Sequence, residues 1–359
     1  MTTTPVHNAN LEKVAVVVLN YNGKHFLEKF LPPLLAHSGN AQIIVADNKS
    51  TDDSLQFLKE EYPTLPLIEI PQNLGFCGGY NYALAQVKAD YYVLLNSDVE
   101  VTLNWIPPVI NLLESNERIA ACQPKIKMYD DKVKFEYAGA AGGLMDQLGY
   151  PFCRGRIFDV VEDDDGQFDD ECEVFWATGA CLFIRAALYH QFGGLDEFFF
   201  AHMEEIDLCW RLKNAGHQIW YCGKSEIYHV GGGTLPKSSP RKTFFNFRNS
   251  LCMIFKNLPS SQLWWIVFMR LVLDGVAGVR FLLQGELGNL MAIIRAHLAF
   301  YARIPSLLKQ RKQIPRPKAG HIGQFNISII WQHFVKGAKA FSDLPIGFLP
   351  SKSREFIRR

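Results

Sequence analysis

Four short polar segments each follow a run of apolar, strand-forming residues in the first hundred positions. Val14–Leu19 leads into Asn20-Tyr21-Asn22-Gly23, and Gln42–Ala46 into Asp47-Asn48-Lys49-Ser50-Thr51-Asp52. Leu67–Ile70 precedes Asn73-Leu74-Gly75-Phe76-Cys77-Gly78-Gly79-Tyr80-Asn81, and Tyr91–Leu95 ends in Asn96-Ser97-Asp98. Each delivers polar groups to one rim of a sheet. The glycines let backbone come close to a diphosphate. Asn, Asp and Gly are ordinary turn residues, so one such segment carries little weight. Four in order carry more. Further along, Glu204-Glu205-Ile206-Asp207 opens a helical stretch. Carboxylates in a first helical turn are favoured by the dipole, and Asp207 and Arg211 are spaced to pair along the helix, a structural role for that aspartate.

The elements that must hold these groups are legible in the pattern. Val14–Leu19 is a β-branched run, as expected of a strand buried on both faces. Lys24–Ala36 reads as a helix that Pro32 and Pro33 kink or interrupt. Further helices are expected from about Asp52 to Glu61 and over Gly79–Val87. Strand and helix in alternation predict an α/β fold with a mainly parallel central sheet and its ligand site at the strands' carboxyl ends. Residues 130–173 break the alternation. A glycine-rich stretch, Gly139–Gly149, and an acidic run, Glu162–Glu173, suggest an inserted hairpin and a solvated loop. Alternation resumes with Phe175–Ile184, a helix near Glu204–Ala215, and short strands at Gln218–Cys222 and Glu226–His229.

A chain of 359 residues, 48% hydrophobic and 20% charged, is globular and buries a core without disulfide or metal staples. Its eight cysteines are scattered with no CxxC pair, as buried, reduced thiols would be. Met1–Asn10 lacks the pattern of a signal peptide, which gives cytoplasmic as the expected location. The net charge of +1 hides a basic end: from Tyr301 onward there are 12 Lys and Arg against 2 Asp and Glu. That asymmetry suits an anionic surface. After Lys256 the chain turns apolar and carries Trp264 and Trp265, with no run near the ~18 residues that span a bilayer. Three regions are expected: a first domain over 1–255, an apolar and amphipathic helical region over 256–314, and a basic tail over 315–359. The helices are expected to lie in the interface of the cytoplasmic membrane's inner face, packing on the first domain being the alternative.

The four segments resemble those of the family 2 glycosyltransferases, which have the GT-A fold, and in particular rhamnosyltransferase-like enzymes of bacterial surface polysaccharide synthesis. The resemblance covers roughly residues 12–250. It implies a donor site formed by Asn20, Tyr21, Asn22, Asp47, Asn73, Gly75, Gly79, Asn81, Asn96, Ser97 and Asp98. Within it Asp47 hydrogen-bonds the nucleotide base, and Asn73, Gly75, Gly79 and Asn81 line the nucleotide-sugar pocket. The family's Asp-x-Asp motif corresponds to Asn96-Ser97-Asp98, so Asp98 is implied as the ligand of Mg2+ or Mn2+, with His229 completing the shell. Asn96 departs from that motif, and an amide is a weaker metal ligand than a carboxylate. The acidic motif implies Glu205 as the base, with Glu204 beside it, where the family more often has Asp. Thr178 and Gly179 resemble the segment beneath the transferred sugar, and Arg248 and Asn249 a pair on the acceptor side. Gly231-Gly232-Gly233-Thr234 is expected to close over bound donor.

The resulting expectation is an inverting, metal-dependent transfer from a UDP- or dTDP-sugar to a glycan or lipid-linked acceptor, peripheral to the membrane, with no nucleic-acid partner. A dinucleotide oxidoreductase is disfavoured because no GxGxxG follows the first strand. Gly223-Lys224-Ser225 resembles part of a P-loop, but Gln218 stands where its first glycine belongs. A nucleotidyltransferase would need a glycine-rich basic loop after the first strand, which Asn20-Tyr21-Asn22-Gly23-Lys24 fits poorly. An inactive nucleotide-sugar-binding scaffold at the membrane is the non-enzyme alternative.

Overall fold

The structure is a computed structural model that describes residues 11–231, 239–316 and 320–345. Strands β1 (Val14–Asn20), β2 (Gln42–Asp47), β3 (Leu67–Glu69) and β4 (Tyr91–Asn96) alternate with helices α1 (Lys24–His37), α2 (Ser54–Glu61) and α3 (Gly75–Leu84). They are followed by β5 (Val99–Val101), α4 (Ile106–Ser115) and β6 (Ile119–Met128). An insertion then forms β7 (Gly143–Met145), β8 (Pro151–Cys153), β9 (Arg156–Ile157) and β10 (Val160–Val161). After it come β11 (Glu171–Val174), β12 (Cys181–Arg185), α5 (Ala186–Gln191), α6 (Glu204–Asn214) and β13 (Gln218–His229). The chain continues through α7 (Pro240–Asn257), α8 (Ser260–Leu283), α9 (Leu287–Gln313) and α10 (Ile329–Phe334).

The central sheet runs β11-β13-β6-β12-β4-β1-β2-β3, with β5 paired to β13. It is mixed, not mainly parallel. The pairs β1–β2, β1–β4, β2–β3 and β6–β13 are parallel. The pairs β12–β4, β12–β6, β11–β13 and β13–β5 are antiparallel. The reason lies in β12, which returns from the insertion and wedges between β4 and β6, an arrangement no local residue pattern encodes. The insertion itself is a second, four-stranded antiparallel sheet, larger than a single hairpin.

Side-chain alternation explains why the sheet is buried on both faces. In β1, Ala15 and Val17 join one apolar cluster while Val14, Val16 and Val18 join another. β4 divides the same way, Tyr92 and Leu94 against Tyr91, Val93 and Leu95. A period of two sends neighbours to opposite faces, and helices on both sides remove each face from water. Helices α1 and α4 cover one face, with Leu27, Leu31, Leu34, Val109 and Leu113. Helix α3 covers the other, with α6, the last turns of α7 and the first turn of α8 through Trp210, Leu251 and Leu263.

Several local expectations shift. Helix α1 runs through Pro32 and Pro33 without interruption. The carbonyls those prolines leave without a donor belong to Glu28 and Lys29, which face solvent and can be hydrated. Helix α3 starts at Gly75, four residues before the expected Gly79. The two short strands expected at Gln218–Cys222 and Glu226–His229 form one, β13, broken in register between Cys222 and Glu226. All eight cysteines are buried and free.

Residues 320–345 pack onto the insertion. Phe325, Ile327, Ile329 and Phe341 share an apolar cluster with Leu144 and Phe152. The buried carboxylate of Asp146 accepts from the amides of Leu148 and Tyr150 at 2.8 Å and of Ile329 at 2.9 Å. The outer surface of α8 and α9 differs: Trp264, Trp265, Phe268, Leu283 and Leu298 are all more than half exposed. No described helix is long and apolar enough to cross a membrane. Thus the helices over 256–314 pack on the first domain by one face and present apolar side chains on another.

Candidate active site

The loops after β1, β2 and β3 are knitted to one another. Asn20 Nδ2 donates to Asp47 Oδ2 at 3.0 Å, and Ser50 donates to the same carboxylate from its amide at 2.8 Å and its hydroxyl at 2.6 Å. Asn22, in a left-handed conformation, accepts from the Thr51 amide at 2.7 Å. Asn48 Nδ2 donates to Gly75 O at 2.9 Å, while Asn73 Oδ1 accepts from the Gly75 amide at 2.9 Å. A Cβ on Gly23 would lie 2.5 Å from Asn20 Oδ1 and 3.3 Å from Ser97 Oγ, so the first and fourth segments meet there. That Asn20 Oδ1 is buried without a hydrogen-bond partner. Tyr21, the next residue, is 40% exposed.

Asp98 lies just beyond β4, opposite the end of β13. His229 Nε2 is 3.2 Å from Asp98 Oδ1, and the Asn96 amide nitrogen is 3.4 Å from the same ring nitrogen. The other ring nitrogen, Nδ1, stands 3.4 Å from Glu136 Oε1 but without hydrogen-bond geometry. All three groups are buried. Burial opposes a charged imidazole, yet the Glu136 and Asp98 carboxylates outweigh it and push the His229 pKa up to about 10. Burial likewise opposes ionisation of Asp98, but the His229 charge and the amides of Asp98 and Gly231 hold its carboxyl below the usual range. Of the expected closing loop only Gly231 lies among the described residues.

The donor set fits a hard divalent cation bound with help from its substrate. One carboxylate and one imidazole face each other at a strand end, and Asn20 Oδ1 is a buried polar atom still lacking a partner. Among the described residues no group of three or more His, Cys, Asp and Glu is arranged to hold a metal by itself. Further ligands would then come from phosphate oxygens.

Glu204 and Glu205 open α6, preceded by Phe200, His202 and Met203 in positive-φ conformations. Glu205 is only partly covered as a residue, but its Oε2 touches no solvent and has no partner; Glu204 Oε2 is the same. Burial raises the Glu205 pKa to about 7, against the pull of amides from Glu205, Ile206 and Gly179. Glu204 is raised well above the usual carboxyl range by burial and then by the neighbouring Glu205 charge. Burial and mutual repulsion therefore keep the pair from both ionising near neutrality. Gly179 ties this pair to the segments after β3 and β4. A Cβ there would lie 3.1 Å from the Phe76 ring and 3.8 Å from Glu205 Cβ, while the next residue, Ala180, accepts from the Asn96 amide at 3.0 Å. Thr178 is buried beside it, its amide donating to Gln123 Oε1 at 3.0 Å.

Other expected site residues also brace the backbone. Asn81 donates to Leu195 O at 2.8 Å and Glu197 Oε1 at 3.1 Å, and accepts from Tyr189 at 2.6 Å, fixing the turn before the acidic helix. Gly79 makes room for Leu19 and Asn48. Arg248 donates to the carbonyls of Phe198 and Phe199 at 2.8 and 3.0 Å. Asn249, fully buried, donates to Phe199, Ala201 and His202 at 3.0, 2.8 and 2.7 Å. Asp207 pairs with Arg211 at 2.8 Å, as its spacing predicts, and also with Lys256 at 2.7 Å and Asn257 at 2.8 Å.

Residues 15–178 match the sequence profile described as Glycosyl transferase family 2. N-acetylglucosaminyl-diphospho-decaprenol L-rhamnosyltransferase of Mycobacterium tuberculosis is 30% identical over 284 residues, covering 74% of this chain and 90% of that protein. The chain belongs to glycosyltransferase family 2. This glycosyltransferase shares its fold with S. aureus TarS residues 1–349, solved with UDP-GlcNAc, at TM-score 0.51, 16% identity and 84% coverage of both chains. It also resembles GalNAc-T7, solved with UDP, GalNAc and Mn2+, at TM-score 0.54 and 15% identity, over 69% of this chain and 48% of that one. The family 2 chain thus spans about half of GalNAc-T7.

Glu136 escaped the sequence reading of this glycosyltransferase. It lies in the insertion with no motif around it, and only the fold carries it to His229. Phe76 and Phe200 escaped as well: Phe200 O accepts from the amides of Phe76 and Cys77 at 2.8 and 3.2 Å, and its ring fills the space beside Gly75.

Proposed function

We propose that this family 2 glycosyltransferase is an inverting enzyme that moves a sugar from a UDP- or dTDP-sugar to a glycan or lipid-linked acceptor in surface polysaccharide synthesis. The observation that carries the reading is the 179–180 junction. Its glycine abuts Glu205, and its next carbonyl binds the strand end bearing Asn96, Ser97 and Asp98. The helix start bearing Glu205 and the strand end bearing Asp98 are thereby anchored on neighbouring residues, which supports a base and a diphosphate-side carboxylate in one site.

In this reading Glu205, once ionised, takes the proton of the acceptor hydroxyl on Oε2, the oxygen with no other partner. Glu204 stays protonated and keeps the pair at a single charge. Asp98 and His229 would hold Mg2+ or Mn2+, whose positive charge would stabilise the leaving diphosphate. Asn20, Ser97 and the Asn73–Gly75 turn line the donor side, Tyr21 offers an exposed ring to a base, and Asp47 orders the loop through Ser50. Arg248 and Asn249 position the acidic turn through its carbonyls. The rhamnosyltransferase relative, whose name places its acceptor on diphospho-decaprenol, supports a lipid-linked acceptor and a deoxyhexose donor. The exposed apolar face of α8 and α9 supports peripheral seating on the inner face of the cytoplasmic membrane.

The test is a screen of UDP- and dTDP-sugars for Mg2+- or Mn2+-dependent nucleoside diphosphate release, with the product's anomeric configuration read by NMR. Release stimulated by acceptor, with inversion, is the expected result. Binding without turnover for every donor would favour the scaffold.

A further inference from the structure

Beside the acidic turn stands a group of arginines with no acid paired to them among the described residues. The guanidinium groups of Arg248 and Arg303 both lie over the ring of Phe198, at 4.4 and 4.3 Å from its centre. Arg248 also lies 5.0 Å from Phe244, which Arg295 approaches at 5.8 Å. Arg241 stands 5.5 Å from Phe200 and 5.7 Å from Phe245, two rings stacked on each other. Four cations are thus strung over four aromatic rings. Asp196, whose charge reaches Arg248, is already ion-paired to Lys256 at 2.8 Å. Arg303 Nε is buried without a hydrogen-bond partner.

Like charges gathered without a counter-charge repel, and cation–π contacts offset only part of that cost. Such a cluster is primed for an anion, and the planar guanidinium matches phosphate oxygens two at a time. Its position is also specific. Arg248 binds the carbonyls of Phe198 and Phe199, which lead into Glu204 and Glu205. On α9, Arg295 adjoins Ile294 and lies one turn from Leu298, both exposed and apolar. A ligand joining phosphate to an apolar chain would meet cations and then hydrocarbon along one helix.

We infer that Arg241, Arg248, Arg295 and Arg303 form a binding site for the phosphate or diphosphate that links the acceptor's sugar to an apolar carrier. The site holds that phosphate beside the acidic turn, so that the sugar hydroxyl reaches Glu205. It rests on the proposed lipid-linked acceptor and adds the residues that would recognise it.

The test is calorimetric titration of the full chain with farnesyl diphosphate, in saturating nucleoside diphosphate and Mg2+ so that the donor pocket is filled. Arg295→Gln and Arg303→Gln are each expected to weaken this binding about tenfold while nucleoside diphosphate affinity and Tm stay unchanged. Arg303→Lys, which keeps the charge but loses the fork, is expected to fall between. Inorganic pyrophosphate should bind more weakly than farnesyl diphosphate and lose affinity in the same variants. Unchanged farnesyl diphosphate binding in both Gln variants overturns the site. So does a loss seen only with phosphatidylglycerol vesicles, which would assign the arginines to bilayer headgroups. Arginine-dependent binding of farnesyl diphosphate in a chain that takes no nucleoside diphosphate would keep the anion site and remove the transferase reading instead.

Discussion

His229 Nε2 meets Asp98 Oδ1 at 3.2 Å, joining the end of β13 to the residues after β4. Buried between two carboxylates, the ring favours its charged form, whereas a metal ligand must give up that proton. In the proposed metal site, cation binding would therefore be coupled to proton release at this pair.

Asp98→Ala is expected to abolish metal-stimulated nucleoside diphosphate release, and Asp98→Asn, which keeps the shape but not the charge, to do nearly the same. Release measured against Mn2+ concentration checks this. Wild-type metal dependence in either variant would refute the assignment of Asp98.

Glu205 must be ionised to act as a base, and burial raises its pKa to about 7. Transfer should accordingly rise with pH and reach half its plateau near 7. The sign for stability is the reverse. A carboxyl whose folded pKa is raised contributes stability below its unfolded value near 4.5, and that contribution is lost as pH rises through about 7. Glu205→Gln should thus lose transfer, retain donor binding, and melt about 2–4 °C higher than wild type at pH 8 but not at pH 5. Melting curves at the two pH values decide it.

Asn249→Ala removes three hydrogen bonds that hold the carbonyls of Phe199, Ala201 and His202. Phe199 O keeps Arg248 and the Ala201 amide, whereas the Ala201 and His202 carbonyls lose this partner at about 1–3 kcal/mol each, and the positive-φ turn before Glu204 loses its clamp. A lower Tm is expected, with kcat falling more than tenfold (order of magnitude for a displaced catalytic group) and donor KM little changed. A fall in donor affinity alone would mean that Asn249 serves the donor pocket.

Trp264, Trp265 and Phe268 are more than half exposed, so Ser at all three should leave the core and the Tm intact. Flotation with phosphatidylglycerol vesicles should drop several-fold, since each buried aromatic adds about 1.5–3 kcal/mol to interfacial binding. Undiminished flotation would exclude this face.

Local chemistry made much of this protein readable from its residues. Unbroken apolar runs such as Val14–Leu19 become strands because both faces must be dry, and the polar residues that end them gather on one rim because parallel strands point the same way. The spacing of Asp207 and Arg211 likewise predicts their pairing, since four residues nearly complete a helical turn. Tertiary structure decided the rest. The sheet is mixed because β12 arrives from a distant insertion, and strand direction depends on connections that no run of side chains specifies. Glu136 faces His229 for the same reason. Asn81 and Asn249 hold backbone, because the carbonyls that a buried amide meets are settled by which elements are packed beside it.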